Sequence, residues 1–132
     1  MADQIFDHEK LDVYRLSIEY VGEMFEVAAT LSGLHRHSRD QWLRAAQSIP
    51  LNIAEGNGKR SLKDRSRFFD IARGSTLECS AIQDVLLISG VMSKEMSDPM
   101  KARLKRIVAM LTRLAMRPDR ALESLARYDE VV

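Results

Sequence analysis

The sequence predicts an all-α chain folded as an antiparallel up-down-up-down four-helix bundle. Three observations predict it. Apolar residues recur at alternating spacings of three and four in four separate stretches. Only three prolines and six glycines interrupt the 132 residues. No stretch alternates with the period of a strand, and there is no internal repeat of roughly 20–50 residues.

The first helix is expected from Leu11. Leu11, Tyr14, Ile18, Val21, Phe25 and Ala28 form a heptad seam. Glu19, Glu23 and Glu26 lie off that seam. Residues 1–9 read as a loosely held tail, anchored by Ile5 or Phe6. The helix should stop near Ser32-Gly33, where glycine takes a left-handed cap conformation. His35-Arg36-His37 is a short connection. Ser38 or Asp40 then caps a second helix that ends near Gly56, with Trp42, Ala45, Ala46, Ile49 and Ile53 on its apolar side. Pro50 lies inside it. Having no N–H, it should bend the helix and leave the Ala46 carbonyl without its helical donor.

Asn57-Gly58-Lys59-Arg60 is turn chemistry. Ser61-Leu62-Lys63-Asp64 opens a third helix with a variant capping box. Its seam is Phe68, Ala72, Ser75, Cys79, Ile82, Leu86 and Ser89. Asp98-Pro99 has the chemistry of a helix start, with Asp as cap and Pro as first helical residue. The fourth helix carries Met100, Leu104, Ile107, Leu111 and Leu114, and Arg117-Pro118 ends it. The segment from Pro118 can start a short extra C-terminal helix through Tyr128. Three short connections between four amphipathic helices favour antiparallel neighbours. Helical hairpins that pair between chains are the alternative.

A chain of this length is one domain with one core, here spanning 1–132 with 118–132 as an extension. The single cysteine, Cys79, excludes an intrachain disulfide framework and suits a reducing cytosol. No apolar run approaches the roughly 20 residues of a membrane span, and no signal peptide is evident. A cytoplasmic protein is the expectation. Net charge is +1 but unevenly placed. Residues 1–34 carry two basic and seven acidic side chains, and residues 35–73 carry nine basic and four acidic. Blocks of opposite sign favour an anionic partner or a second copy of the chain.

Two motifs break the plain amphipathic pattern. One runs from Gln41 to Gly56 and holds Arg44-Ala45-Ala46, Ser48-Ile49-Pro50 and Asn52-Ile53-Ala54-Glu55-Gly56. The other is Arg67-Phe68-Phe69-Asp70-Ile71-Ala72-Arg73-Gly74-Ser75, followed by Glu78. With Lys10-Leu11-Asp12-Val13-Tyr14 they closely resemble the 23S rRNA intervening-sequence protein family. The resemblance spans Leu11 to about Arg117. It departs at the first connection, where relatives often carry an apolar-Pro-x-x-Glu segment and this chain has Leu34-His35-Arg36-His37. The resemblance implies a four-helix bundle and a ring-shaped homo-pentamer. It also implies kinship with the accessory variability determinants of diversity-generating retroelements, which are basic and work with a reverse transcriptase and its RNA.

Read from the residues, a turn near residue 58 places Arg44 beside Arg73-Gly74, Ser48 near Asp70 and Glu55 near Lys63. Ala45, Ala46, Gly74 and Ser75 then make a patch of small side chains where the helices approach closely. Glu78 comes within reach of Arg44, and a buried charge pair there would set register. Asn52 can donate to the carbonyl that Pro50 frees. On this reading Arg44, Ser48, Pro50, Asn52, Glu55, Gly56, Gly74, Ser75 and Glu78 are structural. The rival reading has Asn52, Glu55 and their neighbours line a ligand groove or pore.

No catalytic, metal or cofactor site is expected. A di-metal bundle needs carboxylates with Glu-x-x-His pairs on facing helices. His8, His35 and His37 are expected outside the helices, and none follows a Glu by three. Cys79 reads as a small buried apolar residue. Gly56-Asn57-Gly58-Lys59-Arg60 ends a helix, whereas a phosphate-cradling loop opens one after a strand.

The basic block holds Arg36, Arg39, Lys59, Arg60, Lys63, Arg65, Arg67 and Arg73. Arg36 and Arg39 belong to the opposite end of the bundle. Lys59, Arg60, Lys63, Arg65 and Arg67 are candidate phosphate contacts, which a ring would repeat about its axis. Aromatic content is only 6%, so no platform for stacking bases is evident. The function expected is a non-enzymatic oligomer that binds RNA or DNA, or a protein–protein scaffold with no nucleic-acid role.

Overall fold

The computed structural model describes residues 6–119, and they are entirely helix and turn. The amino-terminal Ile5 anchor and the extra C-terminal helix fall outside the described residues. A 3-10 turn at Asp7–Lys10 precedes the first helix, so the entry is more ordered than a loose tail. Within it His8 stacks on Phe6 and meets Tyr14 edge-on, with ring centroids 5.8 and 4.7 Å apart.

Four long helices follow: α1 (Asp12–Ala28), α2 (Arg36–Asn57), α3 (Leu62–Ile88) and α4 (Lys94–Met116). Each packs on its sequence neighbour, and α1 closes the bundle against α4. The cross-helix bonds run in opposite directions along the pairs α2–α3 and α3–α4. Ser48 meets Ser75, while Asn57, later in α2, meets Arg65, earlier in α3. Ser66 reaches Ala115, Arg73 reaches Thr112, and Gln83 reaches Ser97. In these two pairs residue numbers rise on one helix as they fall on the other, the order that antiparallel neighbours give.

The apolar side predicted for α2 is buried in full: Trp42, Ala45, Ala46, Ile49 and Ile53. On α4, Met100, Leu104, Ile107 and Leu111 are buried and Leu114 is half-buried. On α3, Phe68, Ala72, Cys79, Ile82 and Leu86 are buried, whereas Ser89 is exposed as the C-cap beside Gly90, whose φ is +83°.

Helix α1 is a correction. It buries Val13, Leu16, Ser17, Tyr20, Met24, Val27 and Ala28. Of the predicted seam, Leu11 and Ala28 go inside, Tyr14 and Val21 are half-buried, and Ile18 and Phe25 are exposed. Both stripes have helical spacing. Tyr20 distinguishes them, because its hydroxyl finds hydrogen-bond partners only inside the bundle.

Those partners form one buried chain across all four helices. Trp42 Nε1 on α2 donates to the Tyr20 hydroxyl on α1 over 3.0 Å. That hydroxyl donates to Gln83 Oε1 on α3 over 2.6 Å. Gln83 Nε2 donates to Ser97 Oγ on α4 over 3.0 Å. Every member is fully or almost fully buried. A buried polar group without a partner costs about 1–3 kcal/mol, so this chain favours the one packing that satisfies every link.

The helix ends bring further corrections. Helix α2 starts at Arg36 without a side-chain cap, so neither Ser38 nor Asp40 caps it, and His37 lies within the helix. It runs through Pro50 to Asn57. The Asn52 side-chain amide donates to the Ser48 carbonyl and hydroxyl, 2.8 and 2.9 Å away, and not to Ala46. Ser61 caps α3, accepting from the Asp64 N–H. Ser93, not Asp98, caps α4, accepting from the Met96 N–H at 3.2 Å. Pro99 therefore lies inside the helix, and Asp98 pairs with Lys94.

The close approach of α2 and α3 also differs in place. At Gly56 an added Cβ would sit 2.8 Å from Phe68 Cβ and 3.3 Å from the Phe69 ring. Gly74, the glycine expected there, has open space around it. Gly56→Ala should therefore destabilise the bundle by about 1–3 kcal/mol through overpacking. Gly74→Ala should be neutral or stabilise by up to about 1 kcal/mol through helix propensity. Urea denaturation of both variants checks the pair; equal effects would contradict the register.

Candidate nucleic-acid interface and signature groove

The turn from α2 to α3 sets the basic end of the bundle. Its residues divide by what already holds them. Arg65 is 3% exposed. Its guanidinium donates to the Asn57 carbonyl at 2.7 Å, the Lys59 carbonyl at 3.2 Å and Asn57 Oδ1 at 3.2 Å. These contacts satisfy carbonyls that the end of α2 leaves without helical donors. Burial lowers the Arg65 pKa, yet arginine keeps its charge at neutral pH. Arg65 is thus a structural clamp, and its expected place among the phosphate contacts is corrected.

Arg60, Lys63 and Arg67 are exposed, and Lys59 is half-buried. Arg67 and Lys59 each lie over the Phe68 ring, 4.6 and 5.1 Å from its centroid. Phe68 is buried with both cations against its ring, so it offers no stacking platform. Ser66 donates to the Ala115 carbonyl, bringing the last turn of α4, with exposed Arg113, against the first turns of α3. The start of α3 adds the partial positive charge of a helix N-terminus.

The remaining basic-block residues lie elsewhere. Arg36 and Arg39 are at the far end of the 22-residue α2, roughly 30 Å away at 1.5 Å per residue. Arg39 donates to Asp40 and the Leu31 carbonyl. Arg73 donates to Thr112 Oγ1 at 2.8 Å.

The signature motifs meet on another face. Gln41, Arg44, Ala45, Ser48, Ser75 and Glu78 line one open groove between α2 and α3. At its floor the Ser48 and Ser75 hydroxyls are 2.8 Å apart. Arg44 and Glu78 share this groove as expected, but both are exposed and no ion pair joins them. The buried charge pair is therefore corrected: at a solvated edge the two charges need no partner. Ser48 faces Ser75 instead of Asp70. Asn52 is half-buried beneath the groove and Glu55 is exposed outside its lining. Sequence reasoning missed Tyr20 and Gln83 altogether; each looked like one more residue on a helix face.

Among the described residues, no three His, Cys, Asp or Glu side chains gather closely enough to hold a metal ion. None of the described helices is long and apolar enough to cross a membrane. Cys79 is fully buried, and burial pushes its thiol up to about 12. Tyr20 beside it is pushed above its ordinary range, first by burial and then by Cys79. Neither group offers an ionised nucleophile near neutral pH.

The model of one protein family, described as 23S rRNA-intervening sequence protein, matches residues 9–113. The chain belongs to this family. The match runs from the 3-10 turn to the last turns of α4, so the 23S rRNA-intervening sequence protein family accounts for the whole bundle. A solved structure is similar in fold: a protein of unknown function from the S23 ribosomal protein family of Bacteroides thetaiotaomicron. It is 20% identical with a TM-score of 0.73, over 78% of this chain and 97% of that one. No curated protein matches the sequence. In this family member the signature residues divide between a packed crossing, at Gly56 and Pro50, and an open polar groove, at Arg44, Ser48, Ser75 and Glu78.

Proposed function

We propose that the protein is a non-enzymatic, oligomeric module that binds RNA through Arg60, Lys63 and Arg67. One observation carries the reading. These three cations are exposed at the α2–α3 turn and the start of α3, and none has an ion pair among the described residues. Several cations elsewhere are occupied, Arg15 by Asp12, Lys101 by Asp84, and Arg103 by Glu19 and Glu23, whereas others such as Arg44 and Lys105 are exposed singly and do not cluster at one turn. Unpaired cations on a rigid helix start are suited to phosphate, since binding releases the counterions held by nucleic acid. Assembly into an oligomer would repeat the patch and raise avidity without any new contact. The family's description, which names 23S rRNA, makes a structured ribosomal RNA the first ligand to test.

Fluorescence anisotropy with such an RNA tests the site. The variant Arg60→Gln/Lys63→Gln/Arg67→Gln should bind at least about tenfold more weakly near 0.1 M salt, with a shallower dependence of log K on log salt. Unchanged affinity and slope would remove the site. A second reading, a protein–protein scaffold without a nucleic-acid role, is favoured by the exposed apolar stripe on α1, where Ile18 and Phe25 are 45% and 47% exposed.

A further inference from the structure

The groove between α2 and α3 takes no part in the proposed RNA contact. Ser48 at its floor precedes Asn57 at the basic turn by nine residues of α2, roughly 14 Å along the helix. Its polar groups are not consumed by the fold. Opposite charges that face each other across other helix pairs close into ion pairs, Lys101 on Asp84 and Arg103 on Glu23. Arg44 on α2 and Glu78 on α3 line the groove together, yet neither is paired among the described residues. The half-buried Gln41 amide beside them likewise has no hydrogen-bond partner among the described residues.

The floor holds a spare donor. Other hydroxyls turn back on their own helix: Thr76 donates to the Ala72 carbonyl and Thr112 to the Val108 carbonyl. Ser48 and Ser75 instead bond each other across the groove at 2.8 Å. Asn52 Nδ2 donates to Ser48 Oγ at 2.9 Å, so the pair is already supplied with a hydrogen from below. Two hydroxyls carry two hydrogens, and their mutual bond uses one. The other has no acceptor among the described residues.

We infer that this groove is a binding site for a compact zwitterion, an α-amino acid held by its carboxylate and its ammonium group. The Arg44 guanidinium takes the carboxylate through two parallel N–H donors, and the spare serine hydroxyl donates to the same group. Glu78 and the Gln41 amide oxygen accept from the ammonium. Charge selects this class of ligand. A simple anion attracted by Arg44 is repelled by Glu78, and a simple cation meets the reverse. A ligand with both charges is favoured by both walls. Size agrees. The groove holds about 330 Å³, near the lower end of small-molecule sites, which run from roughly 300 to 1,000 Å³. Ala45 is the one apolar residue of the lining, so no pocket receives a large apolar side chain. The ligand's own side chain projects to solvent and contributes little to recognition.

Titration of the isotope-labelled full chain with glycine, followed through backbone amide chemical shifts, tests the site. Saturable shifts should centre on Ala45, Ser48, Ser75 and Glu78, with a Kd in the millimolar range or tighter, and serine should bind comparably. Glycinamide, which lacks the carboxylate, and N-acetylglycine, which lacks the ammonium, should bind at least about tenfold more weakly, the loss of one charge-assisted bond. Arg44→Gln and Glu78→Gln alter exposed positions, so the bundle should fold as before. Each should weaken glycine about tenfold and leave RNA affinity unchanged. No saturable shift up to about 0.1 M glycine would overturn the site. Equal binding of glycine and N-acetylglycine would overturn the zwitterion and leave a simple anion at Arg44. RNA affinity lost in Arg44→Gln would assign the groove to RNA and overturn the amino-acid ligand.

Discussion

Gln83→Ala is expected to destabilise the bundle by about 2–4 kcal/mol, among the largest effects of any single polar substitution here. The substitution opens a cavity in the core beside the C-terminal part of α3. It also strands the Tyr20 hydroxyl, which donates to Gln83 Oε1, and the Ser97 hydroxyl, which accepts from Gln83 Nε2. Tyr20→Phe should cost a similar amount, because the lost oxygen both donates to Gln83 and accepts from Trp42 Nε1. The two substitutions break one network. The double variant should therefore cost less than the two singles together, with a coupling energy of about 1–2 kcal/mol. Urea denaturation of the cycle measures it. Strictly additive costs would mean that the four-helix chain is not a unit.

Arg65→Ala is expected to lower stability by about 2–4 kcal/mol while leaving the RNA affinity of the folded protein unchanged. The guanidinium is buried and holds the Asn57 and Lys59 carbonyls at the end of α2. Removing it leaves those groups without their donor, and the cost of an unpaired buried group exceeds the worth of the bond. Arg67→Gln should do the reverse, with little effect on stability and a weakened RNA complex. Thermal denaturation and anisotropy on both variants decide the division. An Arg65→Ala protein as stable as wild type, with reduced RNA binding, would return Arg65 to the interface.

This contrast shows where the sequence stops being legible. Arg65 and Arg67 look alike in a run of basic residues. They differ by two positions, or about 200° around a helix, so one faces α2 and the other solvent. Register across the turn decides which. A turn centred near residue 58 puts Ser48 near Asp70, whereas the structure sets Ser48 on Ser75 and Gly56 on Phe68. A shift of one and a half turns along α3 was enough to misplace the close crossing.

The apolar face of α2 was readable because its polar residues leave one stripe open. Helix α1 was not, because two apolar stripes compete and the choice depends on Gln83, 63 residues away from Tyr20. The start of α4 was misplaced because Asp98-Pro99 satisfies the local rules for a helix start, whereas Ser93, five residues earlier, caps the helix that forms. Local chemistry names candidates, and long-range partners select among them.

The central claim is that the unpaired cations at the α2–α3 turn contact phosphate. The most direct test is the affinity of the wild-type protein for a structured ribosomal RNA, measured by anisotropy across a salt series. The account predicts micromolar or tighter binding at low salt and a linear loss of log K with log salt, steep enough for several phosphate contacts per assembly. No binding at low salt, or an affinity indifferent to salt, would contradict it.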